Sequence, residues 1–190
     1  MSSLEWIATL LGIACVALAA LRSVWTFPTA IGSVTLLGIV VFEARLYSDA
    51  ALQIFFVAAN LYGWVQWRRA KTTLGEIAVG TMTARARRHW ALVTIAAWAA
   101  WATLMDSLTD AAYPWWDAAT AALSIAAQIL MAQRRLENWW LWIAVDVASI
   151  PLYLLKGLYL FAGLYLVYLA LAVAGLIGWQ RAWRRGAVAA

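Results

Sequence analysis

The feature that most limits this chain is a succession of long apolar runs, each close to the length of helix that crosses a bilayer. A hydrocarbon core takes about 20 apolar residues as helix, and such runs recur near 4–21, 28–45, 48–67, 89–105, 112–132, 138–155 and 158–180. With 66% of 190 residues hydrophobic and only 12% charged, a soluble fold of this size has too little interior to hide them. A transmembrane barrel needs short segments that alternate strictly between lipid and lumen, and these runs are continuous. The expected fold is all-α and integral to the membrane: seven transmembrane helices in a single membrane domain over 1–190.

Basic residues indicate which way the helices run, because cationic loops resist translocation. With the N-terminus outside, one side receives Arg22, Arg68, Arg69, Lys71, Arg85, Arg87, Arg88, Arg134, Arg135, Arg181, Arg184 and Arg185. The other side receives only Arg45 and Lys156, and it holds most of the acids, among them Glu5, Glu43, Asp49, Asp106 and Asp110. The odd span count and this split agree on N-out/C-in. The net charge of +5 therefore marks topology, and no nucleic-acid partner is expected. The opening Met-Ser-Ser-Leu-Glu has no basic n-region, which favours a retained first helix over a cleaved signal peptide. The stretch from Arg68 to Arg88 is the one extended polar loop expected. Of the 14 tryptophans, Trp6, Trp90, Trp115, Trp140 and Trp183 lie near span ends, where aromatic belts form.

Sliding the chain on itself by 112 positions brings Arg22 onto Arg134, Gly63 onto Gly175, Trp67 onto Trp179 and Arg69 onto Arg181. Leu46-Tyr47 falls on Leu158-Tyr159 and Ala50 on Ala162, and a two-residue slip brings Trp25 onto Trp139. Spans 1–3 thus resemble spans 5–7, with span 4 as a connector. Spans 1 and 5 are four crossings apart and run in the same direction. The arrangement expected is two parallel three-helix bundles (3+1+3): a first bundle in 1–70, a cytoplasmic loop and linker helix in 71–108, and a second bundle in 109–185. Transporters built from parallel repeats bind substrate near the midplane, where the halves meet.

Polar groups inside spans are costly and usually mark function. Trp139, Trp142, Asp146, Ser149 and Tyr153 recur at helical spacing and form one stripe of span 6, with Lys156 at its outer end. Span 3 carries Gln53, Asn60, Trp64 and Trp67 on a second stripe, and span 5 carries Asp117, Ser124 and Gln128. Span 7 adds Tyr159, Tyr165 and Tyr168, of which Tyr165 is placed to face a pocket. Amide side chains both donate and accept, and aromatic faces attract a cationic ring. The set describes a pocket for a polar aromatic solute; the plainer reading of each stripe is hydrogen bonding between helices. Asp117 is equally compatible with simple solvation.

Catalytic and metal chemistry find little support. Cys15 is alone, so neither a disulfide nor a cysteine-based zinc cluster is possible within the chain. The sole histidine, His89, borders the basic loop, which leaves no His-Glu-x-x-His zinc site and no elbow-type serine triad. No phosphate-binding Gly-x-x-x-x-Gly-Lys-Ser/Thr loop occurs. No enzyme activity, cofactor or metal is expected.

The run Leu-Gln-Ile-Phe-Phe-Val-Ala-Ala-Asn-Leu-Tyr-Gly-Trp-Val-Gln-Trp over 52–67 resembles the Gln…Asn-x-Tyr-Gly-Trp-x-x-Trp signature of the nicotinamide riboside transporter (PnuC) family. Tyr-Pro-Trp-Trp-Asp (113–117), Glu-Asn-Trp-Trp-Leu-Trp-Ile (137–143), Asp146 through Lys-Gly-Leu-Tyr (156–159), and Gly175 with Trp179 resemble further motifs of that family, in order. The resemblance implies an architecture like that of SWEET sugar transporters and an inner-membrane facilitator of vitamin-precursor uptake. Its substrate would be nicotinamide riboside, trapped after entry by a cytoplasmic kinase that feeds NAD biosynthesis. Carried onto matching positions, it implies Gln53, Asn60, Trp64, Trp67, Trp142 and Asp146 as substrate contacts, beside Gln128, Trp139, Ser149 and Tyr153 from the stripes. The family also contains thiamine and riboflavin carriers, so those substrates are the alternatives. A proton-coupled carrier with Asp146 as relay and a non-transporting assembly protein are the other readings. The partners expected are a small cationic substrate and membrane lipid. A second copy of the chain is also compatible, since Gly157 and Gly163 offer small-residue positions for close helix contact.

Overall fold

The computed structural model describes residues 3–43, 47–108 and 113–188; Arg45, Leu46 and Asp110, which enter the orientation and repeat readings, lie outside them. Seven helices follow one another: α1 (Ser3–Ala20), α2 (Thr26–Glu43), α3 (Tyr47–Leu74), α4 (Ala84–Leu108), α5 (Pro114–Ala132), α6 (Asn138–Leu155) and α7 (Tyr159–Val188). By length and composition α1, α4, α6 and α7 each suffice to cross a membrane, and α2 holds a shorter apolar stretch, Thr26–Val40. The helices α3 and α5 are less apolar because they carry Gln53, Asn60 and Gln66, and Asp117 and Gln128. The polar loop expected over 68–88 shrinks to 75–83. Apolarity ends at Trp67, but Arg, Ala and Lys are good helix formers, so α3 runs on to Leu74 and stops at Gly75, whose φ is +75°.

Among the described residues six helices close into a ring in the order α1, α2, α3, α5, α6, α7, each touching its two neighbours in the ring, while α4 packs on α5 alone. The two three-helix bundles, α1–α3 and α5–α7, therefore meet along two seams: α3 on α5, and α7 on α1. The linker helix is pinned where Trp98 donates its indole N–H to the Trp115 carbonyl at 2.8 Å, with the two rings edge to face.

The repeat is visible in atomic detail. The helices α1 and α5 end in the same motif: Arg22 and Arg134 take the left-handed conformation (φ 55° and 60°). Their N–H groups bond back to the Ala19 and Met131 carbonyls, and the next N–H in each case reaches one residue further, to Leu18 and Leu130. Glycine usually fills that position; arginine there costs about 1 kcal/mol of backbone energy. Trp67 donates its indole N–H to the Met131 carbonyl at 3.1 Å, and its counterpart Trp179 donates to the Ala19 carbonyl, the counterpart of Met131, at 3.0 Å. Gly63 lies against the Phe27 ring and Gly175 against the Trp139 ring so closely that a methyl group at either would collide. Phe27, not Trp25, is thus the partner of Trp139, and no slip in register is needed; Trp25 is 70% exposed.

These residues form one aromatic core in which Trp67, Trp139, Trp179 and Phe27 are wholly buried, with Ala19, Met131, Ala172 and Leu176 around them. Trp67 and Trp179 face each other with ring centroids 5.7 Å apart. Phe27 stands edge-on to Trp67 at 5.0 Å and Trp139 edge-on to Trp179 at 5.6 Å. Lipid is as apolar as these side chains, so close packing and interhelical hydrogen bonds, about 0.6 kcal/mol each, hold the bundles together.

The core lies at the end of the ring where the arginines gather, and segment 75–83 is strapped across that end. Arg22 donates to the Ile77 carbonyl at 3.2 Å. Gly80 exchanges backbone hydrogen bonds with Arg134 and Leu136, and Arg135 donates to the Thr81 carbonyl at 3.1 Å. Glu137 accepts from the Met82 amide and from Arg87, each at 2.9 Å. At the opposite end Lys156 donates to both carboxylate oxygens of Asp117 at 2.9 Å. Asp117 is therefore paired, and Lys156 turns to α5 instead of completing the α6 stripe.

Candidate functional site

The inward stripe of α6 emerges as the periodicity predicts: Trp139, Asp146 and Ser149 are buried, with Trp142 and Tyr153 partly so. Its members separate by height. Trp139 belongs to the aromatic core, as does Trp67, and Trp64 packs against that core while lining a cleft of about 500 Å³ with Val24, Trp25, Pro28, Arg68, Lys71 and Thr72. This cleft lies between α2 and α3 at the basic end, away from the remaining polar groups. Three of the four tryptophans in the sequence-derived set thus sit at the basic end, because spacing along a helix gives the face but not the depth. Trp142 sits one turn above Trp139, and its indole N–H is buried without a hydrogen-bond partner among the described residues.

Farther from the core, the two amides meet across a seam. Gln128 of α5 donates to Asn60 Oδ1 of α3 at 3.0 Å, and Asn60 donates to the Phe56 carbonyl at 2.8 Å. Both residues are buried. Each primary amide has two N–H groups, so donors remain for another partner. Gln53, two turns along α3 from Asn60, has its carbonyl oxygen buried beside Gly38 of α2, without a partner among the described residues. Buried polar atoms almost always find a partner. Among the described residues the Trp139 indole N–H, within the aromatic core, is likewise buried without a partner.

Asp146 is 4% exposed, and among the described residues no cation pairs with it. It lies on the inward stripe of α6, from which Tyr153 packs on Tyr165 of α7, and Tyr165 in turn meets Tyr168. Both are among the span 7 tyrosines read from the sequence, where Tyr165 is expected to face a pocket, although neither is among the substrate contacts chosen there. Tyr153 stacks on Phe161 at 5.6 Å and packs on Tyr165 at 5.1 Å, which in turn stands edge-on to Tyr168 at 5.7 Å. The Tyr168 hydroxyl lies directly over Gly12 of α1, next to Ser33 of α2, and so reaches across the second seam. The clue in the sequence is the three-residue spacing of Tyr165 and Tyr168, which puts both on one face of α7.

The two halves differ where these groups sit. At the offset that superposes Trp67 on Trp179, Asn60 falls on Ala172, Gln128 on Val16, Asp146 on Val34 and Trp142 on Ala30. A twofold frame therefore encloses an asymmetric polar interior.

The nicotinamide mononucleotide transporter family matches residues 2–181, nearly the whole chain. The chain belongs to this family. It is 32% identical to the nicotinamide riboside transporter PnuC of Escherichia coli K12, over 94% of this chain and 85% of that protein. It is 31% identical to the riboflavin/roseoflavin transporter RibM of Streptomyces davaonensis, over 95% and 86%, and 30% identical to PnuC of Neisseria mucosa, over 97% and 74%. Its fold matches a crystal structure of the vitamin B3 transporter PnuC with a TM-score of 0.78, at 25% identity over 96% of this chain and 82% of that one. It is a multi-pass inner-membrane transporter of a small molecule and not an enzyme, and the reading as a non-transporting assembly protein falls.

Proposed function

We propose that this transporter carries nicotinamide riboside, using Asn60, Gln128, Trp142, Asp146, Ser149 and Tyr153 as the substrate site, with Gln53 at its outer edge. The observation that carries this reading is the buried carboxylate of Asp146 without a cationic partner among the described residues. An isolated buried charge is strongly disfavoured, and a ligand with a fixed positive charge relieves that cost on binding. Nicotinamide riboside has a cationic pyridinium ring, and its carboxamide matches the spare donors of the Asn60–Gln128 pair. The tyrosine cluster of α6 and α7 supplies the aromatic faces such a ring favours. Riboflavin is neutral and brings no positive charge to offset the carboxylate; thiamine is cationic and is the nearer alternative.

The same charges disfavour a phosphorylated substrate. Lys156 is engaged with Asp117, and the other described cations gather at the basic end. A phosphate beside Asp146 would meet only repulsion. Phosphorylation by a cytoplasmic kinase therefore traps the substrate once inside, and facilitated diffusion followed by trapping suffices for uptake. The basic end is the cytoplasmic one by the positive-inside rule, which gives N-out/C-in. In proteoliposomes, labelled nicotinamide riboside should equilibrate saturably with no proton gradient imposed. Accumulation above equilibrium that follows an imposed pH difference would replace uniport by proton coupling.

A further inference from the structure

Trp67 stands out among the sequence-derived contacts because its hydrogen-bonding capacity is already spent. Its indole N–H is given to the Met131 carbonyl of the other bundle, and the ring is wholly buried. Trp179 does the same in reverse, bonding Ala19. Each bond crosses a different seam, α3 to α5 and α7 to α1, and each acceptor is the carbonyl that also closes the end of its helix. The two rings lie against each other at 5.7 Å between the bundles, so nothing the size of a vitamin passes between them. We propose that Trp67 and Trp179 are gate residues: a symmetric double clasp that closes the pathway at the basic end and must release both carbonyls for substrate to leave there.

The placement of symmetry supports this. Residues of the clasp are matched between the halves in side chain, acceptor and even the left-handed arginine that follows each acceptor helix. The polar interior above it is not matched. A gate between two bundles that rock against each other works on both seams at once, whereas a binding site needs only to fit its ligand. The proposal rests on the transporter reading but not on the identity of the substrate.

Sided labelling of a buried cysteine tests it without any substrate. In a Cys15→Ser background, Ala172→Cys places a thiol behind the clasp, at a position 1% exposed in the closed state. Trp67→Phe and Trp179→Phe keep an aromatic ring and remove the donor. A buried neutral hydrogen bond shifts an equilibrium about fivefold. An impermeant maleimide supplied from the basic side should therefore label about fivefold faster in either single variant and roughly twentyfold faster in the double one. Labelling from the opposite side should be unchanged. Rates that stay at the parental level, or rise equally from both sides as a loosened fold would give, overturn the gate. Loss of ligand binding with sided labelling intact would instead count against the substrate assignment alone.

Discussion

Replacing Asn60 by alanine is expected to weaken nicotinamide riboside binding by roughly tenfold to a hundredfold and to remove saturable uptake at ordinary substrate concentrations. The substitution deletes the acceptor of the side-chain bond that joins α3 to α5 at this height and strands the Gln128 amide in the interior. Leaving one buried polar group unpaired costs about 1–3 kcal/mol. Gln128→Ala should do similar damage from the other partner, and the double variant should be little worse than either, because one network is lost once. All three proteins should still elute as monodisperse species, since the aromatic core that joins the bundles is untouched. Wild-type uptake by Asn60→Ala would mean that the amide pair only braces the seam.

Asp146→Asn separates charge from hydrogen bonding. The amide keeps the size and polarity of the side chain and removes the charge, so a cationic ligand should lose about a hundredfold in affinity, the scale on which a desolvated charge pair acts. The reduced, dihydropyridine form of nicotinamide riboside has the same carboxamide and ribose but no ring charge, and it should be bound no worse than by the parent, because the uncharged amide costs nothing extra to bury beside it. Equal losses for both compounds in equilibrium binding would show that Asp146 shapes the pocket without reading charge. An Asp146→Asn protein that binds nicotinamide riboside as well as the parent would remove the observation on which the substrate assignment rests.

Much of the architecture is legible in the chain because membranes impose a simple code. Apolar length gives the spans, and the match of Arg22 with Arg134, Gly63 with Gly175 and Trp67 with Trp179 gives the two halves. The ends of α3 and α4 are harder to read, since hydrophobicity reports where lipid stops and not where helix stops: Arg68 to Leu74 stay helical. The faces of α3 and α6 are recovered from spacing, but spacing is blind to depth. Trp139 and Asp146 share a stripe, yet one belongs to the closed aromatic end and the other to the polar interior. What a side chain bonds to lies beyond any single-helix argument. Trp67 looks like a ligand platform until its N–H is found on Met131, 64 positions away, and Phe27 draws no notice until it occupies the place of Trp139.

Substrate identity rests on which small molecule the purified transporter holds. Thermal stabilisation of the detergent-solubilised protein by nicotinamide riboside, thiamine, riboflavin and nicotinamide mononucleotide, measured side by side, is the most direct test, because a ligand that binds the native state raises its stability by mass action. The expected result is a concentration-dependent upward shift with nicotinamide riboside and none with the mononucleotide or with riboflavin. A shift with riboflavin or the mononucleotide and none with nicotinamide riboside would contradict substrate recognition by the Asp146 carboxylate and the Asn60–Gln128 pair.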